Sequence, residues 1–231
     1  MAPALAEHPS GRWSDFGKRT LSAAVMGPVA LAGVWEGGVA FSLVIAAAAL
    51  GLVIEWSALC RRPGWAPLFP LGLAYVALAG AALLWLRDDP AVGRANVLFL
   101  LLVVWAGDIA AYLTGRWIGG PRLAPGISPG KTWSGAIGGL LAAAAAGLLT
   151  ALLLFHGANG RAVAIAAFLG IVAQGGDLLE SFVKRRLEVK DSGHLIPGHG
   201  GLFDRLDSVL AAAPAAALLA LTLGRGVALW Q

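Results

Sequence analysis

Residues 133–155 read WSGAIGGLLAAAAAGLLTALLLF and carry no charged side chain. At 1.5 Å per residue a helix of this length extends about 35 Å, enough to cross a hydrocarbon core of roughly 30 Å. A strand is excluded by the pattern. Ala, Leu and Gly follow one another without period-two alternation, whereas a membrane barrel needs alternating segments of about ten residues.

Six further apolar stretches flank this one, at 20–35, 37–54, 66–86, 95–113, 162–179 and 208–224. The whole chain is 58% hydrophobic and 13% charged, against roughly 25% charged in soluble domains, which excludes a soluble globular protein. The expected fold is all-α: a polytopic membrane protein of about seven transmembrane helices, six to eight. It forms a single integral-membrane domain over 1–231, with N-terminal helices over 1–94 and most chemistry-bearing residues over 95–231. The range in helix number comes from the first stretch, which is short and separated from the second only by Glu36, a spacing that also fits a hairpin. Lys18 and Arg19 ahead of Ala30-Leu31-Ala32 resemble a signal-peptide pattern, but the basic pair lies late and several spans follow, so an uncleaved first helix is the plainer account. The Ala-rich runs at 141–146 and 211–217 read as close-packing helix faces. Cys60, the single cysteine, reads as an inert packing residue.

Lys and Arg accumulate on the cytoplasmic side of a membrane. With the N-terminus inside, that side holds Arg12, Lys18, Arg19, Arg61, Arg62, Arg116, Arg122, Lys131, Lys184, Arg185, Arg186, Lys190 and Arg205, and the other side Arg87, Arg94, Arg161 and Arg225. Most tryptophans, including Trp35, Trp56, Trp85, Trp117, Trp133 and Trp230, fall near stretch ends and are expected to be interfacial anchors. The +4 balance reads as loop charge facing anionic lipid or substrate; nothing basic is long enough to track a nucleic acid, so none is expected as partner.

Glu55 closes the second stretch, Asp108 interrupts the fourth and Asp177 the sixth. An ionised carboxylate within a bilayer costs at least ~2.5 kcal/mol, so each faces a partner or a wet cavity. In the N-inside arrangement Asp108 and Asp177 lie near one boundary, where Asp204 and Asp207 also begin the last helix. Asp177, Ser181 and Lys184 share a helical row with Glu180 beside it, and Asp204 and Asp207 form a second row. Two oxygen-rich faces at one depth suit a hard divalent cation such as Mg²⁺, which takes one or two carboxylates together with phosphate oxygens. Taken singly, Asp204 also fits a helix cap and Asp177 a pair with Lys184; four carboxylates at one depth beside many cations favour the metal.

The run from Ser181 to Asp207, SFVKRRLEVKDSGHLIPGHGGLFDRLD, is the densest polar segment. Its cations alternate with Asp191, His194 and His199, and its glycines allow tight turns that aim backbone N–H groups at an anion. The mixture suits phosphate. A second polar loop, Gly107 to Gly135, holds Arg116, Arg122 and the segment Ser128-Pro129-Gly130-Lys131-Thr132, read as a short turn presenting Lys131 to phosphate. It is not a Walker A loop: Pro125 stands where that motif needs glycine, and an apolar helix precedes it. His194 and His199 lack the cysteine neighbours and helical spacing of a zinc site.

On these two loops the chain resembles the phosphatidate cytidylyltransferase (CDP-diacylglycerol synthase) family. That family's signature, S-x-x-K-R, four residues, K-D, then P-x-H-G-G-x-x-D-R-x-D, is filled at every fixed position by Ser181, Lys184, Arg185, Lys190, Asp191, Pro197, His199, Gly200, Gly201, Asp204, Arg205 and Asp207. Asp108, Ala111, Tyr112, Gly115, Arg116, Ser128, Pro129, Lys131 and Thr132 also match. The N-terminus is shorter than in longer family members. The resemblance implies transfer of the cytidylyl group of CTP to phosphatidate, giving CDP-diacylglycerol and pyrophosphate for phospholipid biosynthesis. It also implies a homodimer among membrane lipids and a divalent metal, and leaves open an additional monovalent cation. The expected location is a bacterial-type inner membrane with the active site on the cytoplasmic side. Metal is assigned to Asp177, Asp204 and Asp207, and catalytic contacts to Lys184, Arg185, Lys190, Asp191, His199 and Arg205. Substrate binding falls to Asp108, Ser128, Lys131, Ser181, Gly200 and Gly201.

Two rivals differ in chemistry. A CTP-dependent polyprenol or other lipid-alcohol kinase needs a group to take a hydroxyl proton, for which Asp191 or His199 would serve. An ion or proton transporter needs acids at several depths and paired broken helices, whereas the acids here gather at one boundary without an internal repeat.

Overall fold

A computed structural model of the chain describes residues 25–155, 160–189, 191–193, 195 and 200–231. Among them are seven helices: α1 Val25–Glu36, α2 Gly38–Cys60, α3 Phe69–Arg87, α4 Gly93–Trp117, α5 Trp133–Phe155, α6 Gly160–Arg186 and α7 Phe203–Leu223. A 3-10 turn at Ala66–Leu68 leads into α3. Between α4 and α5 an antiparallel hairpin pairs β1 (Arg122–Ala124) with β2 (Ser128–Thr132), Arg122 opposite Thr132.

Helices α2 to α7 are long and apolar enough to cross a membrane, so the chain is an integral, multi-pass membrane protein. Among the described residues the count is six, within the expected range. Gly37 (φ 69°) and Gly38 (φ 49°) turn the chain straight from α1 into α2. Residues 20–24 of the expected first stretch, with Lys18 and Arg19, lie outside the described residues.

Charged residues do not end these helices. Helix α2 continues past Glu55 to Cys60, α6 continues past Glu180 to Arg186, and α7 starts at Phe203 rather than 208. Each charged side chain at these ends finds a partner at the membrane boundary, so the backbone has no reason to leave the helix. Helix α6 stops where Glu188 takes a left-handed conformation (φ 55°), the Val189 N–H returning to Lys184 O at 3.0 Å. The Arg62 Nη1 group, from the α2–α3 connection, closes the same end by donating to Leu187 O at 2.6 Å.

Large apolar side chains such as Val39, Leu71, Leu141 and Leu153 stay exposed and face hydrocarbon, while much of what α5, α6 and α7 bury is alanine. That division is expected where lipid is as apolar as the core and helix association rests on close packing. A Cβ at Gly139 would lie 2.8 Å from Gly107 O, and one at Gly135 2.8 Å from Ala111 O, so α4 and α5 touch backbone to backbone. Ala143 and Ala212, Ala213 and Ala216 are fully buried, as the Ala-rich runs predict, and Cys60 is buried too. Trp35, Trp117 and Trp133 are exposed near helix ends, but two expected anchors are not: Trp230 is buried against Phe99, and Trp56 is buried with its Nε1 donating to Phe69 O. Trp56 packs over Gly72, whose lack of a side chain leaves room for the indole.

Candidate active site

Three helices and the hairpin bring their polar residues together at one end of the bundle. Asp108 comes from α4, Lys131 from β2, Asp177, Glu180 and Lys184 from α6, and Asp204, Arg205, Asp207 and Ser208 from α7. They line one cavity of about 860 Å³, whose wall also includes Ser128, Arg116, Arg122 and Gln174. The close approach of α6 and α7 depends on Gly176, where a Cβ would lie 2.7 Å from Asp207 O.

Lys131 lies on a strand rather than a turn. The turn is earlier, where the Ile127 N–H returns to Ala124 O at 3.1 Å, so Gly130, Lys131 and Thr132 are extended and Lys131 reaches Asp177 Oδ2 at 2.6 Å. Lys184 bridges two carboxylates, Glu180 Oε2 at 2.6 Å and Asp204 Oδ1 at 2.5 Å. The pairing of Asp177 with Lys184 that its row permits is therefore not made. Asp108 Oδ1 accepts the Ser208 hydroxyl at 3.3 Å.

The six acids near this end fall into distinct settings. One oxygen each of Asp177, Glu180 and Asp207 lie within 4.8 Å of one another. Among the described residues Glu180 Oε1, which is buried, finds no hydrogen-bond donor. Asp204 is engaged on both oxygens: besides Lys184 on Oδ1, its Oδ2 accepts Ser192 N–H (3.0 Å), Ser192 Oγ (3.1 Å) and Gly201 N–H (3.0 Å). Glu55, from α2, is 3% exposed. It accepts Leu202 N–H at 2.8 Å, Phe203 N–H at 3.0 Å and Ser192 Oγ at 3.2 Å. Glu55 thus supplies, from another helix, the cap that no side chain of α7's own entry provides. Ser192 Oγ joins the two systems by lying between Glu55 and Asp204.

Of the residues singled out from sequence, Asp108, Ser128, Lys131, Asp177, Lys184, Asp204, Arg205 and Asp207 line the cavity. Ser181, Arg185, Asp191, Gly200 and Gly201 are not on its wall. Arg185 is exposed and donates through Nε to Ile127 O at 3.1 Å, tying the hairpin turn to α6. Gly201 directs its N–H at Asp204, and a Cβ there would collide with Ser192 Oγ, so its smallness serves packing of the loop. Lys190 and His199 lie outside the described residues. Glu55, Glu180, Gln174, Ser192 and Ser208 were not assigned roles from sequence. Glu180, three residues from Asp177, had the one detectable signal, helical spacing.

Residues 66–223 match the family model described as "Cytidylyltransferase family". The phosphatidate cytidylyltransferase of Brucella suis biovar 1 (strain 1330) is 40% identical over 246 aligned residues, covering 87% of this chain and 91% of that protein. Proteins of the same name from Haemophilus influenzae (40% identical; 72% of this chain, 62% of that protein) and Rickettsia bellii (35%; 75% and 77%) are also similar. The matched residues take in the helices that build the cavity, and the chain belongs to the cytidylyltransferase family.

Proposed function

We propose that this protein transfers the cytidylyl group of CTP to phosphatidate, releasing pyrophosphate and leaving CDP-diacylglycerol in the membrane. The observation that carries the reading is one membrane-boundary cavity in which a carboxylate triad, Asp177, Glu180 and Asp207, sits beside Lys131, Lys184 and Arg205. Its volume, about 860 Å³, is near the top of the roughly 300–1,000 Å³ of ligand pockets, as two substrates meeting requires.

The donor set fits a hard cation. Three carboxylate oxygens converge, and the buried Glu180 Oε1 finds no hydrogen-bond donor among the described residues, a costly arrangement unless a ligand meets it. Bound there, Mg²⁺ would neutralise phosphate charge and act as a Lewis acid. We assign it to Asp177, Glu180 and Asp207, with Asp204 instead holding Lys184 and the Ser192–Gly201 loop in place.

The remaining work belongs to the chain's own groups. A phosphatidate oxygen attacks the α-phosphorus of CTP; the new O–P bond forms as the bond from that phosphorus to the bridging oxygen breaks, and pyrophosphate leaves with the electron pair. The attacking phosphate is already anionic near neutral pH, so no general base is needed, and rate depends on overcoming repulsion and on in-line positioning. Lys131, Lys184 and Arg205 supply cationic contacts; Ser128 and Ser208 supply hydroxyl donors. The lipid-exposed helices leave acyl chains in the bilayer while the headgroup enters the cavity. The excess of basic residues on this boundary supports a cytoplasmic-facing site in a bacterial inner membrane. Residues 95–231 carry the chemistry, with Glu55 contributed by the N-terminal helices, and family resemblance supports a homodimer.

The test is an assay of purified protein with CTP, phosphatidate and Mg²⁺ that resolves pyrophosphate from CDP. Pyrophosphate with CDP-diacylglycerol is expected; CDP with a phosphorylated lipid would replace the transferase by a kinase. In Asp207→Asn the Mg²⁺ requirement should rise or turnover vanish, and an unaltered Mg²⁺ curve would remove the metal assignment.

A further inference from the structure

A second polar recess lies at the opposite ends of the helices. It encloses about 390 Å³ between the end of α1 and the α3–α4 turn, with Trp35, Arg87, Asp89, Arg94 and Leu98 in its wall. Arg94 opens α4 and Asp108 lies fourteen residues further along it, about 21 Å at helical rise, so recess and active site occupy different membrane boundaries.

The wall of this recess holds two arginines, Arg87 and Arg94, and one carboxylate, Asp89, and Glu36 and Asp88 adjoin wall residues in the chain. Arg87 donates from Nε to Val34 O at 2.7 Å and from Nη2 to Trp35 O at 3.3 Å, which closes the last turn of α1 with neutral acceptors and leaves the cation's charge uncompensated. The Arg94 guanidinium lies over the Trp35 ring, 4.5 Å from its centroid. Among the described residues no carboxylate is within ion-pair distance of either arginine. The carboxylate in the wall, Asp89, is already occupied: Oδ1 accepts the N–H groups of Ala91 (2.9 Å) and Val92 (3.1 Å), and Oδ2 that of Gly226 (2.6 Å). Its neighbour Asp88 points to Arg225 at 3.8 Å.

Two guanidinium groups held at one concave surface, one of them over an aromatic ring, recognise a tetrahedral oxyanion. Leu98, one turn further along α4, continues the wall as apolar surface, and the exposed Trp35 provides the amphipathic ring found at bilayer interfaces. We propose that this recess binds a phosphate group, that of an anionic phospholipid in the leaflet opposite the active site. The site goes beyond cytidylyl transfer and does not rest on it.

The experiment is native mass spectrometry of the purified full chain equilibrated in micelles containing equal amounts of phosphatidylglycerol and phosphatidylcholine. Wild type retains phosphatidylglycerol in preference. Arg94→Gln loses retention about five-fold, the effect of one cation near an anionic lipid surface, and Arg94→Lys, which keeps the charge without the planar fork, loses less. Trp35→Leu, which removes the platform without touching charge, also weakens retention. Arg94→Gln keeps wild-type cytidylyl transfer, which separates loss of the recess from loss of fold. Equal retention of the two lipids by wild type, or equal retention of phosphatidylglycerol by wild type and Arg94→Gln, overturns the site. Displacement of the lipid by an equal concentration of inorganic phosphate overturns the lipid assignment in favour of a soluble anion.

Discussion

Replacing Glu55 with alanine leaves two backbone donors without an acceptor and removes one of the two carboxylates beside Ser192 Oγ. The Leu202 and Phe203 N–H groups, now 2.8 and 3.0 Å from the carboxylate, open α7, and Ser192 Oγ at 3.2 Å connects to Asp204. An orphaned buried donor costs about 1–3 kcal/mol. Water following into the polar gap favours the lower end, so two backbone donors together cost about 2 kcal/mol. By RT arithmetic that is about a 30-fold rise in local opening of the first turn of α7. Hydrogen exchange of the protein in lipid nanodiscs should show faster exchange by about that factor at Leu202 and Phe203, with α4 unchanged. Turnover should fall in parallel, because Asp204 and Asp207 ride on the same turn. Glu55→Gln retains one acceptor oxygen and should fall between alanine and wild type. Wild-type exchange and wild-type turnover in Glu55→Ala would refute the trans cap.

Gly176→Ala tests whether the α6–α7 approach sets the metal triad: its Cβ would lie 2.5 Å from Ala211 Cβ and 2.7 Å from Asp207 O, so α7 must shift, at about 1–3 kcal/mol of overpacking. A higher Mg²⁺ concentration for half-maximal activity is expected, and an unchanged Mg²⁺ titration would detach the triad from this contact. At the other boundary, the Asp89 carboxyl is held below the usual carboxylate range, chiefly by the Gly226 N–H, with the Val92 and Ala91 N–H groups and Arg225 acting in the same sense against desolvation. A depressed folded pKa contributes stability that is present above the unfolded value, about 3.9, and lost as pH falls through the folded value. Thermal unfolding of Asp89→Asn should lack this acid-side loss, and superimposable pH curves for variant and wild type would contradict it.

Helix class, membrane residence and the collection of polar loops at one boundary were legible because they depend on local composition and spacing. Glu55 shows where that stops. In sequence it reads as the charge that ends an apolar run, yet α2 continues through it because its carboxylate meets the backbone of a loop 147 and 148 residues away. Nothing within a helical turn of Glu55 announces that partner. The choice between Asp204 and Glu180 has the same origin. Both stand at helical spacing from another acid, and only the placement of Ser192, Gly201 and Lys184 directs Asp204 into the loop and leaves Glu180 facing Asp177 and Asp207. The hairpin escaped notice because β2, Ser128–Thr132, contains Pro129 and Gly130 and lacks alternating apolar residues. His199 and Lys190 remain proposals from the signature alone.

The sequence separation of the Glu55 contacts also bears on how the protein is made. During synthesis Glu55 enters the bilayer 147 residues before Leu202, and α3, α4, α5 and α6 are inserted in the interval. A carboxylate at mid-bilayer would have to wait there unsolvated. Glu55 lies five residues from the end of α2, close enough to the headgroups to stay hydrated until α7 arrives. Docking of α7 onto that carboxylate is then the step that joins α2 to the α6–α7 end of the bundle, and it follows insertion of α3 to α6. A chain stalled before Phe203 would hold the Asp108- and Asp177-bearing walls of the cavity without the turn that completes them, so catalytic competence is deferred until α7 is in the membrane.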